Sequence, residues 1–183
     1  LLDILSDHGR AVRVGKTFAN FLLTGIPIDW SVPDPPAEHP TDGDWSLSIK
    51  TAAVRRDLTI NALAVDVLNG TLHDPLGGGA DPKQKRLRYF LRDGFARDPL
   101  RLLRVMQFIS RFEMETDPDL TELCRTLDLS AVTGERIDGE FDKLLLRSSH
   151  PSLGLLWLAS IRRSEEFLAP LHRLTMREWF DRL

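Results

Sequence analysis

With 183 residues, 42% of them hydrophobic, the chain can bury one sizeable core or two small ones. A net charge of -3 with 28% charged residues excludes a generally basic nucleic-acid binder. The single cysteine, Cys124, excludes an internal disulfide, and no apolar run approaches the length of a membrane span, so a reducing, cytoplasmic setting is the expectation. Leu1 stands where an initiator Met would, which leads us to expect further residues ahead of it.

In chain order, Leu1 to His8 reads as the end of a helix stopped by Gly9, and Ala11 to Val14 as a short strand. Phe21-Leu22-Leu23 runs into a Thr24-Gly25 turn. Ile26, Ile28, Trp30 and Val32 then alternate with Pro27, Asp29 and Ser31, which predicts a strand with one buried face and, because of Pro27, an edge position. Asp29 falls on the polar face, where a carboxylate either meets water or helps to hold a metal. Pro33 to Asp44 contains four of the eleven prolines and reads as a loop without a motif. A short helix is predicted over 47–54.

Arg55-Arg56-Asp57-Leu58-Thr59-Ile60-Asn61-Ala62-Leu63 places two cations before a carboxylate and alternates polar with apolar residues. Such crowding suits a charged ligand. Phosphate is the natural one, because arginine offers it a rigid fork of donors. The plainer reading is that Asp57 caps a helical turn through Leu63 and Asn61 bonds nearby backbone. Asn69-Gly70 between two apolar runs predicts a hairpin, His73 is read as structural, and Gly77-Gly78-Gly79 forms no recognised phosphate loop.

From Lys83 to Arg111 there are nine cations against two acids. A band of this kind either follows a phosphate backbone or is a solvated face, and on charge alone the solvated face is the plainer reading. Asp98-Pro99 opens a helix in which Leu100, Leu103, Met106 or Gln107, and Ile109 or Ser110 face the core, while Arg101, Arg104 and Arg111 share a row with Gln107. Helices are predicted over 118–126, with Cys124 as a small buried apolar residue, then over 137–147 and 152–167. A last amphipathic piece begins near Thr175 and includes Trp179 and Phe180. Asp98 and Arg101, one turn apart, can offer an acceptor beside a donor. Cytosine and adenine present the matching edge, whereas uracil and guanine place a carbonyl against the carboxylate. A helix cap plus a solvated arginine explains the same two residues.

RRDxTxNAL, DPxGG at 74–78, Asp98-Pro99-Leu100-Arg101-Leu102-Leu103-Arg104, and Glu135-Arg136-Ile137 with Glu140-Phe141 together resemble the class II tRNA nucleotidyltransferases (CCA-adding enzymes) and bacterial poly(A) polymerases, of the DNA polymerase β superfamily. The resemblance runs from about Val14 to Leu146. It implies an α+β fold: the remainder of a polymerase β-like nucleotidyltransferase head with a small sheet over 1–89, then an all-helical neck over 90–183. It further implies CTP and ATP as ligands, the 3′ end of tRNA as the RNA partner, and Mg²⁺ as cofactor. Asp98 and Arg101 would read the base, Arg104 would support the nucleotide, Arg56 would meet the triphosphate, and Asn61 would belong to the same nucleotide site. Asp57 matches a residue of the catalytic carboxylate set, and the ERIxxEF stretch would brace the Asp98 helix.

Three departures accompany the match. The family's GGxVRD loop and DxD metal pair would lie ahead of Leu1, so the chain alone is not expected to polymerise, and no metal ligand is assigned within it. A truncated homologue that only binds nucleotide or RNA is the alternative. Arg97 replaces the glutamate of EDPLR, and Gln107 an arginine often found beyond Arg104. The long C-terminal body is missing after about Leu171.

Overall fold

The computed structural model describes residues 1–14, 20–33 and 43–168. Most of the proline-rich stretch and the amphipathic piece near Thr175 lie outside the described residues. The chain divides into two compact units, Leu1–Arg55 and Arg56–Leu183.

In the first unit a helix (Leu2–Ser6, α1) precedes three strands, Ala11–Val14 (β1), Asn20–Leu23 (β2) and Ile26–Ser31 (β3), and a short helix follows at Ile49–Ala53 (α2). The strands form an antiparallel meander in the order β1-β2-β3, with Ala11 opposite Leu23 and Phe21 opposite Trp30. Gly25 takes the left-handed conformation (φ 88) that the tight turn requires. Phe21 and Leu23 are buried; Phe21 clusters with Leu5 of α1, and Ala11 and Trp30 pack against that pair. The predicted half-burial of β3 is not observed: Ile26 and Ile28 are 42% and 51% exposed, and only Trp30 is partly covered. One five-residue helix cannot cover a three-stranded face. β3 is the edge of this sheet, as Pro27 allows. Ser48 caps α2 by accepting from the Thr51 N–H at 3.1 Å.

The second unit opens with a 3-10 turn at Thr59–Ala62. A hairpin of Ala64–Val65 (β4) with Leu72–His73 (β5) follows, then strand Arg86–Leu87 (β6). The hairpin forms as predicted, but Asn69-Gly70 closes a longer loop rather than a two-residue one. Asp66 organises it, accepting from Leu68 N–H and Asn69 Nδ2, both at 2.8 Å. Helices follow at Arg92–Ala96 (α3), Arg101–Phe112 (α4), Pro118–Thr126 (α5), Gly134–Arg147 (α6), Pro151–Ser160 (α7) and Glu165–Leu168 (α8). A strand at Glu115–Thr116 (β7) pairs in parallel with β6, an association that sequence periodicity does not reveal. No helix among the described residues is long and apolar enough to cross a membrane.

α4 is the axis of this unit. Leu102, Leu103, Val105, Met106, Gln107, Ile109 and Ser110 are all buried, so the helix is covered on most sides, chiefly by α7 and α6. The α4–α7 approach depends on Gly154, where a Cβ would stand 2.5 Å from both Met106 O and Ser110 Oγ. Ser110 is satisfied in this crossing, since Oγ accepts from Gly154 N–H at 2.8 Å.

The sequence pattern over 152–167 predicts one helix, whereas the structure breaks it between α7 and α8. Arg162 adopts φ 60 just beyond α7, and Arg163 N–H returns to Leu158 O at 3.0 Å, a Schellman-type ending without the usual glycine. The break turns Arg163 inward. Its Nη1 donates at 3.1 Å to Cys124 O and to Arg125 O, the last carbonyls of α5, and its guanidinium pairs with Glu166.

Gly154→Ala is therefore expected to cost about 3 kcal/mol or more of unfolding free energy, because backbone and a buried hydroxyl both stand in the way. Gly139→Ala, whose Cβ meets nothing within 4 Å, should be neutral or stabilising by up to about 1 kcal/mol. Urea titrations that rank the two equally would refute this packing.

Burial pushes the Cys124 thiol up to about 12, from an ordinary value of 9.0. The native thiol should resist alkylation at pH 8 and react fully once the chain is unfolded. Because the folded state holds its proton longer, the contribution of this group to stability is complete below about pH 9 and is lost as pH rises toward 12. Rapid labelling of the native protein would contradict the assignment.

Candidate nucleotide site

Asp57 lies at the start of the second unit and is 5% exposed. A buried carboxylate needs donors: Asp57 has two hydrogen bonds, both to Oδ1, and one ion pair, while Oδ2 accepts no hydrogen bond. Oδ1 accepts from Leu58 N–H and Asn61 Nδ2, each at 2.8 Å, while Oδ2 faces Arg104 Nε at 2.9 Å. Asp57 is thus not the N-cap of an α-helix: the following turn is 3-10, and its cap position, Leu58, makes no side-chain cap bond. Asn61 bonds this side chain rather than nearby backbone.

The turn is fastened from below. Thr59 is fully buried, donating its N–H to Arg88 O at 3.0 Å and its hydroxyl to Asp81, which is 1% exposed. Arg88 donates Nε to Asp81 Oδ1 at 2.9 Å and Nη2 to Gly77 O. Asp74 accepts from Gly78 N–H at 2.7 Å and Gly79 N–H at 2.9 Å, folding the DPxGG loop back on itself. Gly78 is required here, because a Cβ would overlap the Thr59 carbonyl. The sequence reading missed Asp81 and Arg88, as no periodic signal links an acid and a cation seven residues apart across a turn.

On the α4 side, a turn over 98–101 precedes the helix, with Arg101 N–H on Asp98 O at 3.0 Å and Leu102 N–H on Pro99 O at 3.1 Å. The helix itself begins at Arg101 with Leu100 in the cap position, so Asp98 lies further out than the predicted cap. Oδ1 of Asp98 accepts from Leu100 N–H at 3.3 Å, and Oδ2 pairs with Arg136 Nη2 of α6 at 2.7 Å. Arg101 is half-buried and donates Nη1 to Gly94 O of α3 at 2.6 Å. Burial pushes its guanidinium down, the charges of Asp57 and Asp98 hold it up, and Arg104 and Arg97 add to the fall. Asp57, Asp98, Arg101 and Arg104 therefore form one electrostatic cluster. Arg56 stands exposed at the entrance of the unit, and Asn61 is engaged with Asp57. Arg111 Nη1 donates to Gln107 Oε1 at 2.9 Å, so these two share a row as predicted.

No grouping of three His, Cys, Asp or Glu side chains among the described residues could hold a metal ion. Asp57 Oδ1 is already committed to two donors, and Oδ2 faces the Arg104 guanidinium. The residues described here do not fit a Mg²⁺ site.

A turn of Arg-Arg-Asp is thus fastened to a buried helix that carries an acid–arginine couple. Residues 30–88 match the family described as the Poly A polymerase head domain. Over 112 residues the chain is 38% identical to multifunctional CCA proteins of Acinetobacter baumannii, a match that covers 57% of this chain and 27% of those relatives. In three dimensions it is similar to the Thermotoga maritima CCA-adding enzyme complexed with tRNA, with 26% identity, a TM-score of 0.66, and coverage of 86% of this chain and 37% of that one. A CCA-adding enzyme solved with ATP gives 27% identity and a TM-score of 0.66 over the same shares. The one solved with CTP gives 26% and 0.65, again over those shares. By sequence the chain is similar to these CCA proteins and, over residues 30–88, to the Poly A polymerase head domain, and by fold it is similar to solved CCA-adding enzymes. It spans about a quarter of the length of the curated relatives it matches.

Asp57→Ala removes the acceptor of Leu58 N–H and Asn61 and leaves Arg104 without its partner. The expected cost is about 2–3 kcal/mol, moderated because Arg104 is partly in water. A loss below about 0.5 kcal/mol in urea unfolding would place Asp57 among ordinary surface residues.

Proposed function

We propose that the chain serves tRNA nucleotidyl transfer of the CCA-adding type, supplying the part that selects CTP and ATP for addition of C and/or A to a tRNA 3′ end. The observation that carries this reading is the charge cluster at the start of α4, where Asp98 and Arg101 stand one turn apart and Arg104 ties the same helix to Asp57. An acceptor beside a donor complements the edge of cytosine and of adenine and opposes that of uracil and guanine. Arg101 and Arg104 offer the planar guanidinium donors that suit a triphosphate. The relatives named as CCA proteins, and the similar structures solved with CTP, ATP and tRNA, support the substrate class.

In this reading Arg56 contacts the triphosphate, Arg104 and Asn61 shape the nucleotide side of the turn, and Asp57 holds the turn against α4. The head runs to Tyr89 and the helical neck from Phe90. Mg²⁺ would assist the transfer only with carboxylates that the described residues do not group. A cytoplasmic setting agrees with the lone thiol.

That lack of a metal-holding group favours a second reading, in which the chain binds nucleotide or RNA without catalysing transfer. Incorporation of labelled CTP and ATP into tRNA lacking its 3′ end, with Mg²⁺ present, separates the two. Base selection is tested by calorimetry with all four nucleotides. CTP and ATP should bind at least about tenfold more tightly than UTP and GTP, and Arg101→Ala should erase the preference while the fold survives. Equal affinity for UTP would refute the assignment, as would an Arg101→Ala chain that fails to fold.

A further inference from the structure

Arg136 sits in the first turn of α6, far from Asp98 in sequence, yet its Nη2 lies 2.7 Å from Asp98 Oδ2. The two side chains are 49% and 35% exposed, and an ion pair this open contributes little to stability. Its effect is geometric. A guanidinium is a planar, fixed donor, and a charge-assisted bond to it sets the direction of a carboxylate. The other oxygen meets only the Leu100 N–H, at a long 3.3 Å.

Asp98 is also flanked by cations on its own stretch of chain, Arg97 next to it and Arg101 one turn on, and both belong to the same electrostatic cluster. Without a hold from elsewhere, the carboxylate could turn to either. Arg136, reaching in from a different helix, fixes one orientation among three cationic neighbours.

We propose that Arg136 is a positioning residue that determines base specificity: by engaging Oδ2 it presents Oδ1 of Asp98 as the acceptor for the exocyclic amino group of cytosine or adenine. The inference rests on the base-reading role proposed for Asp98 and Arg101. It adds that the acceptor is aimed from α6, so that selectivity depends on a side chain that never meets the base. With Oδ2 engaged, a uracil or guanine carbonyl meets a lone pair that cannot swing away, whereas an amino group finds a prealigned acceptor.

The test is calorimetric titration of the chain with CTP and with UTP, for the native sequence, Arg136→Ala and Arg136→Gln. The expected result is an unchanged melting temperature, CTP affinity reduced about tenfold in Arg136→Ala, UTP affinity raised or unmoved once the carboxylate is free to swing away, and a partial effect in Arg136→Gln, which keeps a donor at similar reach. Should the alanine chain fail to fold, the glutamine chain supplies the ratio. A native chain without CTP-over-UTP preference removes the base-reading couple, and the role of Arg136 with it. A native preference that persists undiminished in the folded Arg136 variants overturns Arg136 alone. So does an equal fall in both affinities, which marks a merely structural residue.

Discussion

The carboxylate of Asp57 is the point on which the second unit turns. It is buried, and a buried charge is tolerated only when donors surround it. Two of those donors, Leu58 N–H and Asn61 Nδ2, come from its own loop and shape the 3-10 turn. The other oxygen faces Arg104 Nε, in the first turn of α4, as an ion pair. This one group thereby ties its loop to the most deeply buried helix. The Thr59–Asp81–Arg88 contacts repeat the device one step further along, with the DPxGG loop pressed on Thr59 where Gly78 lacks a side chain. Most polar groups in these turns are therefore answered within the protein, Asp57 Oδ2 being the exception that accepts no hydrogen bond and faces Arg104 through charge alone.

α4 has two tasks that do not compete. Its apolar side chains fill the core against α6 and α7, with Gly154 and Ser110 bringing α7 close. Its arginines occupy the remaining stripe, at Arg101, Arg104 and Arg111. Since the helix is covered on most sides, the arginine stripe cannot roll, and the cluster at its start inherits the rigidity of the core. Each arginine is steered further by its own partner: Gly94 O for Arg101, Asp57 for Arg104, Gln107 for Arg111. Functional side chains mounted in this way lose little freedom when a ligand arrives.

What sequence alone discloses follows from the range over which each signal acts. The strands at Ala11–Val14 and Ile26–Ser31, the hairpin at Asn69-Gly70, α5 and the inward face of α4 are set by neighbours within a few residues, and all are legible. The Asp98 turn was placed correctly although its capping geometry differs. The parallel β6–β7 pair is two residues long on each side and spans the whole of α3 and α4, so it leaves no periodic trace. The end of α7 escaped because Arg162 takes a conformation that glycine usually signals. Of the site residues, Asp57 and Arg104 are brought into contact, whereas Asp98 is found bound to Arg136, a partner that only the tertiary fold could supply. Charge pairs between distant segments carry no spacing rule, which is why motifs located the residues and not their partners.

The cationic band of 83–111 illustrates the same point. Counted along the chain it is a strongly positive stretch, yet the fold distributes it between two kinds of place. Lys85, Arg88 and Arg104 pair with Glu113, Asp81 and Asp57, while Arg101 and Arg111 are held by Gly94 O and Gln107. The first three have their charge answered by a carboxylate, whereas Arg101 and Arg111 are oriented by neutral oxygens. Lys83, Arg86, Arg92 and Arg97 are exposed and make no ion pair among the described residues. Any attraction for a phosphate backbone therefore rests on these four together with Arg101 and Arg111, and not on the full linear excess. A local net charge read from sequence overstates the field that a partner meets, because the fold answers part of that charge before the partner arrives.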